Sequence, residues 1–272
     1  MPLSRLQKEL LKHLAAGRNP ESVVGGAAPL NRIGPRTSDD IDIFHRRAEA
    51  VAATAQADIA RLNDAGYASR WVRQSPAIWS AVIDGQEETT KLEWVLDSDY
   101  RFFPPIPDSE FGYVFHPLDI ATNKALAAAG RREPRDVVDL LFLHHTILPL
   151  GAVLWAAVAK DSGFSPESLI AEIRRSSLYR DEDLARLKMN PPITAAELSQ
   201  KLREALKEAE AFVLKMPSEK AGLLFFEGER IVQPDPAHLD RYTTHEGQRG
   251  GHWPSSPEIA SAMLEAWIVQ NR

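Results

Sequence analysis

The feature that most constrains this chain is a pair of glycines followed, after a short gap, by two aspartates inside an apolar run. A short apolar segment ends at Gly25 and Gly26, and Asp40, Ile41 and Asp42 follow the gap. Alternation of apolar and charged residues over 40–44 is typical of a strand with one buried face. Because side chains alternate across a strand, we expect Asp40 and Asp42 to lie on the same face.

Two carboxylates on one face repel each other unless a cation lies between them. Mg²⁺ suits such an arrangement because it prefers oxygen ligands. The paired glycines allow the backbone to approach a ligand closely, and backbone N–H groups near a helix start favour phosphate. With the basic Arg36 between the two motifs, the stretch indicates metal-assisted chemistry on a nucleoside triphosphate. The alternative is a turn in which Gly and Asp serve only as turn and cap residues.

Composition limits the possible classes of protein. The 272 residues fit one large domain or two modest ones, and 44% hydrophobic with 26% charged residues is typical of a soluble globular protein. The absence of cysteine excludes disulfides, a cysteine nucleophile and thiolate zinc sites. No apolar run is long enough to span a bilayer and no signal pattern is present, so we expect a cytoplasmic protein without a membrane partner. The net charge of −6 argues against a general nucleic-acid coat protein, but leaves room for a local basic patch.

The periodicity of apolar residues divides the chain into two regions. In the first region it predicts strands over 22–25, 40–44, 67–72, 77–83, 89–96 and 111–115, helices over 1–17 and 45–65, and a loop over 101–110. The second region is mainly helical, over 117–129, 134–148 and most of 150–216, before a hairpin over 223–232, a loop over 233–257 and a helix over 256–270. We therefore predict an α/β (α+β) core with a mixed sheet flanked by helices over 1–148, and a mainly helical C-terminal region over 149–272.

A metal-dependent transfer site often takes a third carboxylate from a neighbouring strand. Glu93 is the best candidate, because it lies among apolar residues of the predicted strand 89–96. Asp97 is the second candidate if that strand continues. The alternative for Glu93 is a solvated residue of an edge strand.

A second charged group lies over 124–139. Lys124 lies in an alanine-rich predicted helix, where its ammonium could reach a phosphate. Three arginines surround the start of the next predicted helix, at 131, 132 and 135, and guanidinium groups suit bidentate phosphate contacts. Asp136 and Asp139 share one face of that helix. The alternative is that Arg135 and Asp136 pair with each other at the helix N-terminus.

Taken together, these motifs resemble the AbiEii/AbiGii toxin family of nucleotidyltransferases. The matching segments are Gly25-Gly26-Ala27-Ala28, Arg36-Thr37-Ser38-Asp39-Asp40-Ile41-Asp42, Lys124, and Arg135-Asp136-Val137-Val138-Asp139-Leu140. The match covers residues 22 to about 145. The resemblance implies a polymerase-beta-like nucleotidyltransferase core.

The resemblance also implies roles for particular residues. Asp40 and Asp42 would bind Mg²⁺, with Glu93 as the third ligand where the family usually has Asp. Gly25, Gly26 and Lys124 would hold the triphosphate, in a loop that reads Gly-Gly-Ala rather than Gly-Ser. The remaining motif residues are expected to line the nucleotide site: Arg36, Ser38, Arg135 and Asp136.

The resulting hypothesis is a Mg²⁺-dependent enzyme that transfers a nucleoside monophosphate from a nucleoside triphosphate to an acceptor hydroxyl. Many members of the family are toxins of toxin–antitoxin or phage-defence pairs, and some add nucleotides to tRNA, so tRNA and a cognate antitoxin protein are the expected partners. Two alternatives stay open: transfer to a small molecule of the antibiotic type, and a fold that has lost its chemistry and only binds a nucleotide or a partner.

Overall fold

The structure of the chain is a computed structural model that describes residues 3–32 and 34–249. The predicted helix over 256–270 lies outside these residues. The chain forms two compact units, one made of Met1–Asp99 and Pro104–His116, the other of Tyr100–Phe103 and Pro117–Arg272.

Strands and helices are numbered here in chain order. The strands are β1 (Ser22–Gly25), β2 (Asp40–His45), β3 (Ala68–Ser75), β4 (Ile78–Asp84), β5 (Thr89–Leu96), β6 (Tyr100–Arg101), β7 (Ile106–Asp108), β8 (Gly112–Val114), β9 (Leu224–Glu227), β10 (Arg230–Val232), β11 (Thr243–His245) and β12 (Gln248–Arg249). The helices are α1 (Arg5–Ala15), α2 (Ala48–Asp64), α3 (Pro117–Gly130), α4 (Pro134–Thr146), α5 (Leu150–Ala157), α6 (Pro166–Ser176), α7 (Asp181–Leu184) and α8 (Ala195–Val213).

The first unit contains a seven-stranded mixed sheet in the order β3-β4-β5-β2-β1-β8-β7. The β2–β5 and β1–β8 pairs are parallel, and the other pairs are antiparallel. The predicted strands and α2 are therefore confirmed. The predicted loop over 101–110 is corrected, because β6 reaches into it and pairs with the distant β12, and β7 forms within it as a short hairpin with the neighbouring β8.

Alternation along the central strands separates an apolar face from a charged one. Ile41 and Ile43 of β2 and Leu92 and Trp94 of β5 are fully buried. Helix α2 packs against β2, β3, β4 and β5, and the indole of Trp94 donates a hydrogen bond to Asp58 of this helix. The apolar face of the sheet therefore carries α2, and the charged residues of β2 and β5 lie on the opposite face.

Asp58 connects three separate segments of the first unit. This buried carboxylate accepts hydrogen bonds from Arg18 at 2.5 Å and from the Trp94 indole at 2.8 Å, and Arg61 lies 3.2 Å away. Arg18 is also buried, at 6% exposure. Because neither charge reaches water, each depends on the other.

The second unit is mainly helical, as predicted. Helix α3 packs against α4, α5 and α6, and α8 packs against α4, α5 and α6. Helices α3 and α4 belong to this unit, where they bury their apolar faces in the helical core. The predicted domain boundary at residue 148 stays a prediction.

Short strands accompany these helices. Strands β9, β10 and β11 form one small sheet, and β12 pairs with β6. The predicted hairpin over 223–232 is confirmed, whereas the predicted loop over 233–257 is corrected in its described part, since β11, β12 and a short 3-10 helix (Pro236–Arg241) lie in it.

Within residues 3–32 and 34–249, no single helix is long and apolar enough to cross a membrane. Only α4 and α5 taken together meet that length and composition, and the pair is bent by 114°.

Replacement of Asp58 by Asn should destabilise the first unit by about 3 kcal/mol or more, because the buried guanidinium of Arg18 would lose its counter-charge. Urea unfolding followed by tryptophan fluorescence measures this loss. The matched control is Asp64→Asn at an exposed position of the same helix, for which we expect a change within about 0.5 kcal/mol. Equal stability of the two variants would contradict the anchoring role of Asp58.

The pH dependence of stability should report on His45, which is fully buried at the end of β2. Burial and the charge of Arg18 lower the pKa of His45 from 6.5 to about 4. Between these two values the unfolded chain binds a proton that the folded chain does not, so stability falls as the pH drops from 6.5 to about 4. The free energy of unfolding falls by about 3 kcal/mol over this range, and it is unaffected by His45 above the pKa that this residue has in the unfolded chain. Urea unfolding at several pH values should show that the free energy of unfolding declines less steeply with falling pH in His45→Gln than in the wild type. The same pH dependence in both proteins would contradict the role of His45.

Candidate active site

Four charged side chains meet on the open face of the first unit's sheet. The parallel pairing of β2 with β5 sets Asp40 beside Lys91 and Asp42 beside Glu93. The Lys91 ammonium lies 3.5 Å from Asp40 Oδ2 and 3.2 Å from Glu93 Oε1. The prediction that both aspartates share a face agrees with this register, and the structure also brings Glu93 to the same face.

Lys91 is the site residue that the sequence interpretation missed. It lies two positions before Glu93, and the same alternation that placed Asp40 with Asp42 also places Lys91 with Glu93. Burial lowers the pKa of Lys91, but the carboxylates of Asp40 and Glu93 outweigh this effect, so its pKa lies above the ordinary value. The Lys91 ammonium therefore stays protonated, and it lies between carboxylates of two strands.

The glycine pair lies directly against this cluster. Gly26 has a φ of +63°, and a Cβ atom there would lie 2.1 Å from Asp42 Oδ2. A Cβ on Gly25 would lie 2.7 Å from the rings of Phe44 and Phe115. Both positions therefore require glycine, and the group that the Gly26 backbone approaches is the Asp42 carboxylate itself.

The residues between the two motifs are buried rather than exposed. Arg36 is 4% exposed and Ser38 is 6% exposed. The Ser38 carbonyl accepts a hydrogen bond of 2.8 Å from the buried Gln7 amide of α1, and the Ser38 hydroxyl lies 3.4 Å from the backbone N of Asp40. In this conformation both residues support the entry into β2, and their predicted contact with a nucleotide stays a prediction.

The second unit contains the other predicted group, again around a lysine. Lys124 of α3 lies 3.0 Å from Asp136 Oδ1 and 2.9 Å from Asp139 Oδ2 of α4, and only 10% of its side chain is exposed. Asp136 also accepts hydrogen bonds from Arg131 at 2.6 Å and 3.1 Å. Asp136 therefore pairs with Lys124 and Arg131, and the alternative of an Arg135–Asp136 pair stays a prediction.

Electrostatics keep Asp136 ionised. Burial raises the pKa of Asp136, but the charges of Lys124 and Arg131 outweigh it and hold the pKa below the ordinary value. Arg135 is half-buried on the same turn, and its Nε lies 3.7 Å from Glu133 Oε2. Here Asp136 anchors Lys124, so the contact of Lys124, Arg135 and Asp136 with a nucleotide stays a prediction.

Asp40 and Asp42 are suited to a hard divalent cation. They present carboxylate oxygens on one face, and Mg²⁺ is commonly held by one or two carboxylates together with substrate phosphates. In the described part of the chain no group of three or more His, Asp or Glu residues is arranged to hold a metal ion. The Lys91 ammonium pairs with Glu93 and Asp40 on this face, and the predicted metal set of Asp40, Asp42 and Glu93 stays a prediction.

Replacement of Gly26 by Ala should displace Asp42 as well as strain the backbone. Gly228, in the β9–β10 turn, is a matched control, since its φ is +62° and a Cβ there would meet nothing within 4 Å. Gly228→Ala should cost about 1–2 kcal/mol from the left-handed backbone alone. Gly26→Ala should add about 1–3 kcal/mol from the clash with Asp42. Urea unfolding of both variants measures the difference, and equal losses would show that Asp42 moves away without cost.

Comparison with known proteins identifies the fold. No protein-family model matches the chain, and no curated protein matches it in sequence. Among solved structures, the chain is similar to MenT4, a nucleotidyltransferase toxin from Mycobacterium tuberculosis H37Rv, with a TM-score of 0.55 and 17% identity over 79% of this chain and 84% of that chain. JHP933 from Helicobacter pylori aligns with a TM-score of 0.45 and 20% identity over 77% of this chain and 95% of that chain. The chain therefore has a nucleotidyltransferase fold like that of MenT4, and the narrower resemblance to the AbiEii/AbiGii family stays a prediction.

Proposed function

We propose that the chain is a nucleotidyltransferase that transfers a nucleoside monophosphate from a nucleoside triphosphate to an acceptor hydroxyl. The observation that carries the proposal is the charged face of the sheet in a nucleotidyltransferase fold, where Asp40 and Asp42 lie side by side on β2 and Gly26 lies against Asp42. Aligned carboxylates with a close backbone approach suit the binding of a metal-complexed phosphate chain.

The reacting groups balance in a single displacement. The acceptor oxygen forms a bond to the α-phosphorus of the nucleotide, the bond from that phosphorus to the oxygen bridging to the β-phosphate breaks, and pyrophosphate leaves. Asp40 and Asp42 would hold Mg²⁺, which supplies charge neutralisation for the phosphate oxygens when bound. Glu93, opposite Asp42, is the candidate to take the proton of the acceptor hydroxyl. The protein contributes mainly positioning and electrostatics.

Lys91 has two roles in this proposal. Without a divalent cation its ammonium pairs with Asp40 and Glu93 and offsets their repulsion. When the nucleotide complex binds, the ammonium is free to turn towards the phosphate oxygens, because a lysine side chain is a flexible point charge.

For the biological role we propose a toxin that modifies RNA, with tRNA as acceptor and an antitoxin protein as partner in the cytoplasm. The toxin role is supported by the description of MenT4 as a nucleotidyltransferase toxin and by the resemblance of the motifs to the AbiEii/AbiGii family. The tRNA acceptor, the antitoxin and the cytoplasmic location rest on that resemblance.

A second candidate is a module that binds a nucleotide or a partner without turnover. It is favoured by one observation, the ion pairs that Lys91 makes with Asp40 and Glu93 where a metal ligand set is expected. Binding of nucleotide without any transfer would support this candidate.

Label transfer distinguishes the two candidates. Purified protein is incubated with Mg²⁺, each α-labelled nucleoside triphosphate in turn, and total tRNA. We expect label on tRNA, and loss of at least about 100-fold in rate for Asp40→Asn and for Asp42→Asn, since each removes a charge that stabilises the phosphate transfer.

The control for this experiment is Asp39→Asn, at the exposed residue directly before β2. It should retain the wild-type rate. A rate that is the same in all three variants would overturn the assignment of the site, whereas label on a small-molecule acceptor but not on tRNA would change only the acceptor.

A further inference from the structure

A β-bulge in the edge strand brings two arginines to the face that carries the aspartates. Trp71 of β3 pairs with Ala81, and Arg73 pairs with Ser80, so Val72 is an extra residue between them. Trp71 contacts the rings of Trp79 and Trp94, which places it on the α2 face. Because the bulge adds one residue, Arg70 and Arg73 both lie on the opposite face.

Strand register connects these arginines to the candidate active site. One row across the sheet runs from Arg73 through Ser80 and Glu93 to Asp42. The adjacent row joins Arg70, Val82, Lys91 and Asp40 in the same way. Three strand spacings separate the ends of each row, about 14 Å between Cα atoms.

Both guanidinium groups are available to a ligand. Arg70 and Arg73 are exposed, and neither makes an ion pair or side-chain hydrogen bond with any residue in 3–32 or 34–249. Other arginines of the first unit are engaged, such as Arg18 with Asp58 and Arg46 with Glu21 and Asp99.

We propose that Arg70 and Arg73 hold the phosphate backbone of a polynucleotide acceptor, whose terminal hydroxyl lies at Asp42 and Glu93. This inference rests on the proposed function and identifies the residues that would hold a polynucleotide acceptor. An acceptor of mononucleotide size at the carboxylates would not extend about 14 Å along the sheet to the arginines, whereas a strand with a phosphate at each nucleotide does. Guanidinium groups provide the bidentate geometry that phosphate accepts.

Protection of the sheet edge is the competing explanation for the same residues. Bulges and charged side chains both discourage an edge strand from pairing with another chain. That role requires charge at the edge but no affinity for RNA. Only the acceptor explanation therefore expects removal of the two charges to weaken RNA binding.

Direct binding is the first test, and it requires neither metal nor turnover. A fluorescein-labelled single-stranded RNA is titrated with the full chain at several salt concentrations, and anisotropy is measured. The Arg70→Gln, Arg73→Gln double variant should bind more weakly, and the salt slope of its affinity should fall by about 1.4, since each phosphate contact on a single strand contributes about 0.7.

The matched control is the Lys12→Gln, Arg47→Gln double variant, which removes two exposed charges of the same unit outside this face. It should keep the wild-type slope. An unchanged slope in the arginine variant, or displacement of the RNA by poly-glutamate as effectively as by unlabelled RNA, would overturn the proposal in favour of edge protection or an acidic protein partner.

Label transfer then separates this inference from the proposed function. The arginine variant should show a KM for tRNA raised at least several-fold and an unchanged KM for the nucleotide. If the wild type transfers label and both KM values stay unchanged in the variant, the acceptor contact is wrong while the function stands. If the wild type transfers no label to any acceptor, the proposed function fails and the acceptor role fails with it, although the salt slope can still identify an RNA-binding face.

Discussion

The in-register parallel pairing of β2 with β5 is the constraint on which the candidate site depends. It sets two residues of each strand in facing pairs, Asp40 with Lys91 and Asp42 with Glu93. A shift of one residue would send these charges into the α2 face and bring Ile41 and Leu92 to the open face. Burial of the apolar residues under α2 therefore stabilises the register. The hydrophobic core of the first unit thus determines which charged side chains face each other in the candidate site.

Local pattern was enough to predict most elements and the shared face of the aspartates. The runs around Ile41 and Leu92 alternate strongly, and α2 lies in an alanine-rich segment without Pro or Gly, so period and propensity agree there. The short strands β6, β11 and β12 could not be predicted, because each exists only through pairing with a distant segment. Strand β7 pairs with the neighbouring β8, but three residues that include Pro107 give too short a pattern to predict.

The charged residues were harder to interpret than the apolar ones. Lys91 could have been found from the alternation in β5, but its two carboxylate partners became evident only from the register with β2. The bulge at Val72 could not be predicted, since nothing in the run from Arg70 to Arg73 reveals an extra residue. For Asp136 the sequence suggested a neighbour on the same helix, whereas the structure pairs it with Lys124 of α3 and with Arg131.

The ion pairs of Lys91 have a consequence for how the protein exists before it meets a nucleotide. A lysine between carboxylates acts as an internal counter-ion, so the first unit can fold with less repulsion between Asp40 and Glu93. Under the proposed function, a divalent cation at Asp40 and Asp42 would exchange one positive charge for another, and its apparent affinity would reflect the difference between the two. Such an exchange favours a cation that arrives together with phosphate groups, because the displaced ammonium then finds a new anionic partner.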